Sequence, residues 1–386
     1  MADKCGTVIS GFSILTVPIL RCLACAVLAV IGLGCEQRAS FQYVRFPCSI
    51  FDRGGKLIYA KEGYNQCDFA SDGSLVGFNM QNTRLDFFDR KDKLVWSEPL
   101  DVHHSLNFSE NEEQIIAVHK EGFPLNGQRV KGDCVSVRDR SNRVLKQWCL
   151  KDHINELESL GYEFRPRPNM EISHTNSVYE IPPNARAATD PAFAPGNYVI
   201  NLFMTSYAVI ILDRQMQKIL FHKNFKTFKY GPFQRRIMIH DVQINQRGNL
   251  FYYVNFIKKE NFTQACNYLS ELIERSEDTP YTPLLPAWFS AIWETDPRTD
   301  AILWSYRGET LESFKSDVFG SATMLDNGNL LYTDITGGGQ VIEVNSRGEV
   351  LWSIKNPSPD WTGQPAKFQF AKPFSRIAFL KARGLL

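Results

Sequence analysis

The 386-residue chain has almost no net charge: 43 lysines and arginines stand against 42 aspartates and glutamates, a balance of +1. A nucleic-acid ligand needs a basic face that displaces counterions from phosphates, so this composition argues against one. No low-complexity tract interrupts the chain, and no CxxC pair occurs after Cys35, which argues against a zinc knuckle. Histidine is scarce, seven in all, so the place of each one carries information. Apolar residues make up an ordinary 44%, enough for a packed core.

What the chain does have is a repeat. An apolar strand, a polar turn with Asp, Asn or Arg, and a second apolar strand ending in an aromatic recur six times. The copies run Ser49 to Tyr59, Asp86 to Trp96, Val135 to Trp148, Val209 to Phe221, Ile292 to Trp304 and Val341 to Trp352. Their turn anchors fall at Asp52, Asp89, Asp139, Asp213, Asp296 and Asn345. A lone hairpin cannot bury its apolar face, so the copies must stack on one another. Further strand pairs with Gly-containing turns lie between them, as at Asp72-Gly73 and Asn327-Gly328. Each unit then has four strands, and the fold expected is an all-β, six-bladed propeller of four-stranded blades. Phe368 to Leu380 reads as strands that complete the blade begun by residues 42–60, closing the ring with N- and C-terminal strands. Wider spacings between anchors hold inserts near residues 151–170 and 258–286. In the first, Asp152 is placed to cap a short helix that ends before Gly161.

Residues 1–35 read as a leader separate from the 36–386 domain. Lys4 and Arg21 flank a weak apolar stretch, followed by a 13-residue apolar run from Cys22 to Gly34. That length suits a signal-peptide core better than a membrane span. Small residues before Cys35 look like a bacterial lipoprotein cleavage site, which makes Cys35 the candidate lipid site. A plain signal peptide or an uncleaved anchor is the other reading. The expectation is an exported protein, periplasmic or on the cell surface, tethered to a membrane by lipid. Cys134 and Cys149 face each other across the turn at Ser141-Asn142, and an exported chain could join them, with Cys48 and Cys67 as a second pair. Buried free thiols are the alternative.

His104, His174 and His240 each open the first strand of a repeat. In a propeller those strands line the central channel, so the three imidazoles are expected to converge. His103, His119, His153 and His222 break this register and read as structural or surface residues. Arg376 occupies the strand-start region of the closing blade, where a guanidinium could bind a tetrahedral oxyanion.

The stretches His174-Thr175-Asn176-Ser177-Val178, His240-Asp241 with Gly248-Asn249, Leu325 to Leu331, and Val341 to Trp352 resemble bacterial arylsulfate sulfotransferases over roughly residues 65–380. The resemblance implies an exported six-bladed propeller that moves a sulfuryl group from a phenolic sulfate donor to a phenol acceptor through a sulfated histidine, with no cofactor and no metal. Carried onto this chain, it makes His240 or His174 the nucleophile and gives His104 and Arg376 oxyanion and acid–base roles. An aromatic substrate would need an apolar mouth: Asn176, Tyr207 and Phe319 are the candidates for substrate binding, with Phe108, Tyr179, Phe203, Tyr253 and Trp288 as further aromatics available or else core. The chain departs from the family at Thr205-Ser206-Tyr207, where an Arg-His pair is usual, and at Gly320-Ser321, which lacks a histidine. Two other readings stand beside this one. The first is a non-catalytic, lipid-tethered propeller that binds or assembles; the second is a zinc site held by the three imidazoles.

Overall fold

Each of the six repeated segments folds as an antiparallel hairpin whose turn is held by its own anchor residue. Asp89 accepts the backbone N–H of Lys91 at 2.8 Å and of Lys93 at 3.0 Å. Asp139 does the same for Ser141 and Arg143, and Asn345 for Arg347 and Glu349. Asp52, Asp213 and Asp296 hold equivalent places. A short side-chain oxygen that satisfies nearby amides reverses the chain without help from tertiary contacts.

The computed structural model describes residues 43–46, 48–79, 83–164, 171–202, 208–225, 237–256, 290–307, 320–334, 340–355, 372–373 and 376–386. The leader, Cys35, Phe203, Tyr207, Trp288, Phe319, the second insert and residues 165–170 of the first lie outside them.

The hairpins are the outer pairs of four-stranded antiparallel sheets. β1 (Tyr43–Phe46), β2 (Ser49–Asp52) and β3 (Leu57–Ala60) begin one sheet. Five blades follow, each from one stretch of chain. The first is β4 (Gln66–Phe69), β5 (Leu75–Asn79), β6 (Arg84–Phe88) and β7 (Leu94–Pro99). The second is β8 (Val102–Phe108), β9 (Gln114–Leu125), β10 (Gln128–Asp139) and β11 (Val144–Cys149). The third is β12 (Thr175–Glu180), β13 (Tyr198–Leu202), β14 (Ala208–Leu212) and β15 (Ile219–Asn224). The fourth is β16 (Ile237–Ile244), β17 (Leu250–Phe256), β18 (Ser290–Thr295) and β19 (Ile302–Arg307). The fifth is β20 (Ala322–Met324), β21 (Leu330–Asp334), β22 (Gln340–Val344) and β23 (Val350–Lys355). Finally β24 (Lys372–Pro373) pairs antiparallel with β1, making the β1–β3 sheet a four-stranded composite of the two ends of the chain. The architecture is an all-β propeller of four-stranded blades.

The apolar core is divided into clusters, each trapped between two neighbouring sheets. Val199, Val209 and Phe221 of the β12–β15 blade pack on Ile239, Tyr252 and Trp293 of the next. Trp148 and Val137 pack on Ile200 and Ile210, and Phe87 packs on Leu106 and Phe108. The composite sheet meets the fifth blade through Phe51, Leu331 and Val341, and the first blade through Ile50, Phe69 and Phe88. A disulfide, Cys48–Cys67, ties it to the first blade, and Trp352 Nε1 reaches it by donating to Arg53 O at 2.9 Å. The second disulfide, Cys134–Cys149, joins directly paired residues of β10 and β11.

Side-chain clasps link the first strands in sequence. Asp68 on β4 accepts the N–H of Phe108 on β8 at 2.6 Å, and Ser105 on β8 accepts that of Val178 on β12 at 3.2 Å. Ser177 accepts that of Val242 at 3.1 Å, and Asp241 that of Ala322 at 3.1 Å. Each clasp satisfies a first-strand amide from the neighbouring blade and so fixes how the blades approach the axis.

Two local expectations are corrected. Among its described residues, the C-terminal stretch read as strands holds the short β24 and then a helix, Ile377–Ala382, whose Phe379 and Leu380 are buried between the composite sheet and the first blade. Phe379 meets Tyr59 and Phe69 edge-on, and its neighbour Leu380 is buried in the same cluster; an alternating strand would turn one of two consecutive residues away. In the first insert the helix is Ile154–Ser159, and His153, not Asp152, sits at its N-cap. Asp152 belongs to a preceding 3-10 turn, Leu150–Asp152.

Candidate functional site

Each of the three first strands that bear or directly follow His104, His174 or His240 has a register shift close to that histidine: β8 and β16 contain theirs, and His174 immediately precedes β12. The register of β8 shifts between Val102 and Leu106, that of β12 between Thr175 and Ser177, and that of β16 between His240 and Gln243. Beside each shift a residue other than glycine takes a positive φ: His104 at 56°, His174 at 46° and Asp241 at 51°. Bulges bend a strand and re-aim its side chains, and this backbone region is costly for such residues.

The bulges gather the imidazoles. His104 Nε2 and His174 Nε2 are 2.9 Å apart. His174 Nδ1 lies 3.0 Å from Glu171 Oε2, so Nδ1–H donates to the carboxylate, leaving Nε2 as acceptor and making His104 Nε2–H the donor. His240 Nδ1 is 2.8 Å from Asn176 Nδ2 and accepts from that amide. His240 is buried, whereas the His174 side chain keeps 28% of its surface exposed. Burial, reinforced by the neighbouring imidazoles, pushes His104 and His240 down to about 3. Both rings are therefore neutral at physiological pH.

The sequence places His103 off the axis, because neighbours on a regular strand face opposite sides. The bulge in β8 overrides that alternation. The His103 ring centroid lies 5.0 Å from that of His104 and 5.7 Å from that of His174. Its Nε2 is 2.6 Å from Asp133 Oδ1 and 3.9 Å from Glu171 Oε1. Asp133, near the middle of the long β10 strand, is fixed through its other oxygen by Ser173 Oγ at 2.7 Å and the Thr175 amide at 2.5 Å. Burial alone would raise the Asp133 carboxyl, but His103, Ser173 and Thr175 hold it down at about 2. Glu171 arrives because its segment lies alongside β10, bridged to Lys131. Neither carboxylate is marked by a motif.

Arg376 is not among the imidazoles. It precedes the C-terminal helix and pairs with Asp68 at 3.1 Å and Glu112 at 2.9 Å. Its charge is already met, so the arrangement does not offer it to an oxyanion. Asn176 is engaged by His240. Phe108 and Tyr253 are core residues, and Tyr179 donates its hydroxyl to Asp241 at 2.5 Å. A surface cleft of about 330 Å³ lies elsewhere, between the second and third blades, near the far ends of β8 and β12, lined by Ser109, Lys146, Glu180, Tyr198 and Arg214 among others. It holds no histidine.

No family model matches the chain. No curated protein matches it either. Solved structures do align with it. One is a protein of unknown function from Bacteroides caccae, 12% identical, covering 81% of this chain and 93% of its own, with a TM-score of 0.45. Another is the β-propeller domain of the Trilobed protease from Pyrococcus furiosus, 12% identical, covering 79% and 73%, with a TM-score of 0.38. A third is BamB from Moraxella catarrhalis, 10% identical, covering 82% and 88%, with a TM-score of 0.40.

Proposed function

We propose that this chain is an exported, arylsulfotransferase-like enzyme on a six-bladed propeller, the composite β24–β1–β2–β3 sheet serving as the sixth blade. The observation that carries the reading is the His104–His174 pair with Glu171 behind it. An imidazole whose Nδ1 proton is held by a carboxylate presents a lone pair at Nε2, the arrangement expected of an oriented nucleophile. His174 is the better candidate than His240, since it reaches solvent while His240 is buried.

In the first half-reaction His174 Nε2 attacks the sulfur of an aryl sulfate. The N–S bond forms, the S–O bond breaks, and the phenolate leaves with the electron pair. Glu171 offsets the positive charge that develops on the sulfated imidazole. The His104 N–H, released from His174 once the ester binds, can donate to the departing oxygen. An acceptor phenol then takes the sulfuryl group from nitrogen, and its proton balances the phenolate released earlier. Arg376 has no part in this scheme. The family resemblance and the neutral imidazoles support the reading. Two disulfides favour an oxidising compartment and with it export, periplasmic or at the cell surface through a lipid on Cys35.

The test is release of nitrophenol from 4-nitrophenyl sulfate in the presence of a phenol. His174→Ala should reduce the rate by about 100-fold or more, and Glu171→Gln should lower kcat more than it raises KM. No release, or release unchanged in His174→Ala, overturns the proposal.

A further inference from the structure

We propose that His103, Asp133 and Glu171 bind one divalent transition-metal ion beside the histidine pair. Nε2 of His103 and one oxygen from each carboxylate lie within 4.8 Å of one another, close enough for a single ion with bonds of about 2.0–2.2 Å to draw them together. This departs from the expectation that the chain needs no metal, and it uses none of the three histidines that the sequence offered for zinc.

Three further features favour it. Each carboxylate has one oxygen committed elsewhere, which orients the other toward His103. Asp133 is tied by Ser173 and Thr175, and Glu171 by His174. Such outer hydrogen bonds are what metal ligands require. Next, Glu171 Oε1 is buried and makes no hydrogen bond among the described residues, although Lys120 Nζ lies 3.3 Å from it. Finally, two carboxylates face one lysine, so the pocket has charge to spare for a cation, which would take the place of the direct His103–Asp133 contact. One imidazole with two carboxylates suits zinc or manganese better than magnesium or calcium, which take oxygen ligands throughout. The neighbouring group of Glu121, Cys134 and Cys149 is not a rival, since both sulfurs are locked in a disulfide.

An ion there would also neutralise the carboxylates that an anionic sulfate ester would otherwise meet. The inference does not depend on sulfuryl transfer, because its test uses no ester. The full chain, with disulfides intact, is stripped with a chelator and titrated calorimetrically with zinc and with manganese. One ion should bind per chain, at least tenfold more weakly in His103→Gln and in Glu171→Gln, and unchanged in the outer-strand variant His222→Gln. Circular dichroism checks the fold of each variant; Glu171, being partly exposed, is the safer of the two substitutions. Absence of stoichiometric binding, or equal binding by a folded Glu171→Gln, overturns the proposal.

Discussion

Acid should unfold this protein well above the pH at which its carboxylates protonate. His104 and His240 are held down to about 3, and His119 to about 4, in each case chiefly by burial. In the unfolded chain each titrates near 6.5. The folded state therefore keeps three imidazoles neutral that the unfolded state would charge, and the stability this confers is present above pH 6.5 and lost as pH falls toward the folded values. For one fully neutral histidine, the loss between pH 7 and pH 5 is about 2 kcal/mol. His104 is only partly enclosed and counts for less, so the three together give about 5 kcal/mol, comparable with the whole stability of many domains. Urea denaturation at a series of pH values, with the disulfides kept oxidised, reads this directly. The free energy should fall steeply below pH 6.5, and unfolding near pH 5.5 should take up more than two protons. Asp133, at about 2, adds to the loss only below pH 3.8. His119→Gln, if folded, should remove about one third of the slope. A flat profile from pH 7 to 5, or uptake of less than one proton, would refute the claim that these rings are buried and neutral.

Other consequences are simpler to check. Replacing both Cys48 and Cys67 by serine opens a cross-link spanning 19 residues between two sheets, and should cost about 3 kcal/mol of stability in the same titration. A Cβ at Gly320 would sit 2.5 Å from the Tyr253 ring, so Gly320→Ala should cost about 1–3 kcal/mol through overpacking. Gly248 has φ +82°, and a Cβ there would meet the Arg186 Cβ at 2.2 Å. Gly248→Ala should therefore cost more than Gly127→Ala, where φ is +75° but nothing lies within 4 Å.

The features that were legible in the sequence are those set by local chemistry. The six anchor residues announce their turns because an Asp or Asn side chain caps its own hairpin whatever surrounds it. The meeting of His104 with His174 could be anticipated once those residues were placed at strand starts. The Cys134–Cys149 bond follows from their placement about the Ser141-Asn142 turn. The rest was set by non-local geometry. His103 looks like an outward residue until a bulge in β8 turns it. Asp133 lies inside a strand of ordinary appearance, and its role appears only when Ser173 and Thr175 are laid against it. Arg376 was expected on a strand facing the axis, but the burial of Phe379 and Leu380 draws its segment into a helix and leaves the guanidinium between Asp68 and Glu112.

The coincidence of bulge, positive φ and histidine separates two kinds of role that a simple alanine substitution would confuse. The first strands β4 and β20 carry no histidine, and neither has a register shift in its pairing. The two that bear histidine, β8 and β16, each do, and so does β12, which His174 immediately precedes. A left-handed conformation costs a residue other than glycine, asparagine or aspartate about 1–2 kcal/mol, a cost that falls on His104 and His174. At His174, asparagine tolerates the backbone but lacks the ring, whereas a β-branched residue suits neither. His174→Asn should then retain most of the stability yet lose the proposed sulfuryl transfer, while His174→Val should lose both. If asparagine and valine prove equally destabilising, the backbone is not what the bend constrains. If asparagine retains activity, the His174 ring is not the nucleophile.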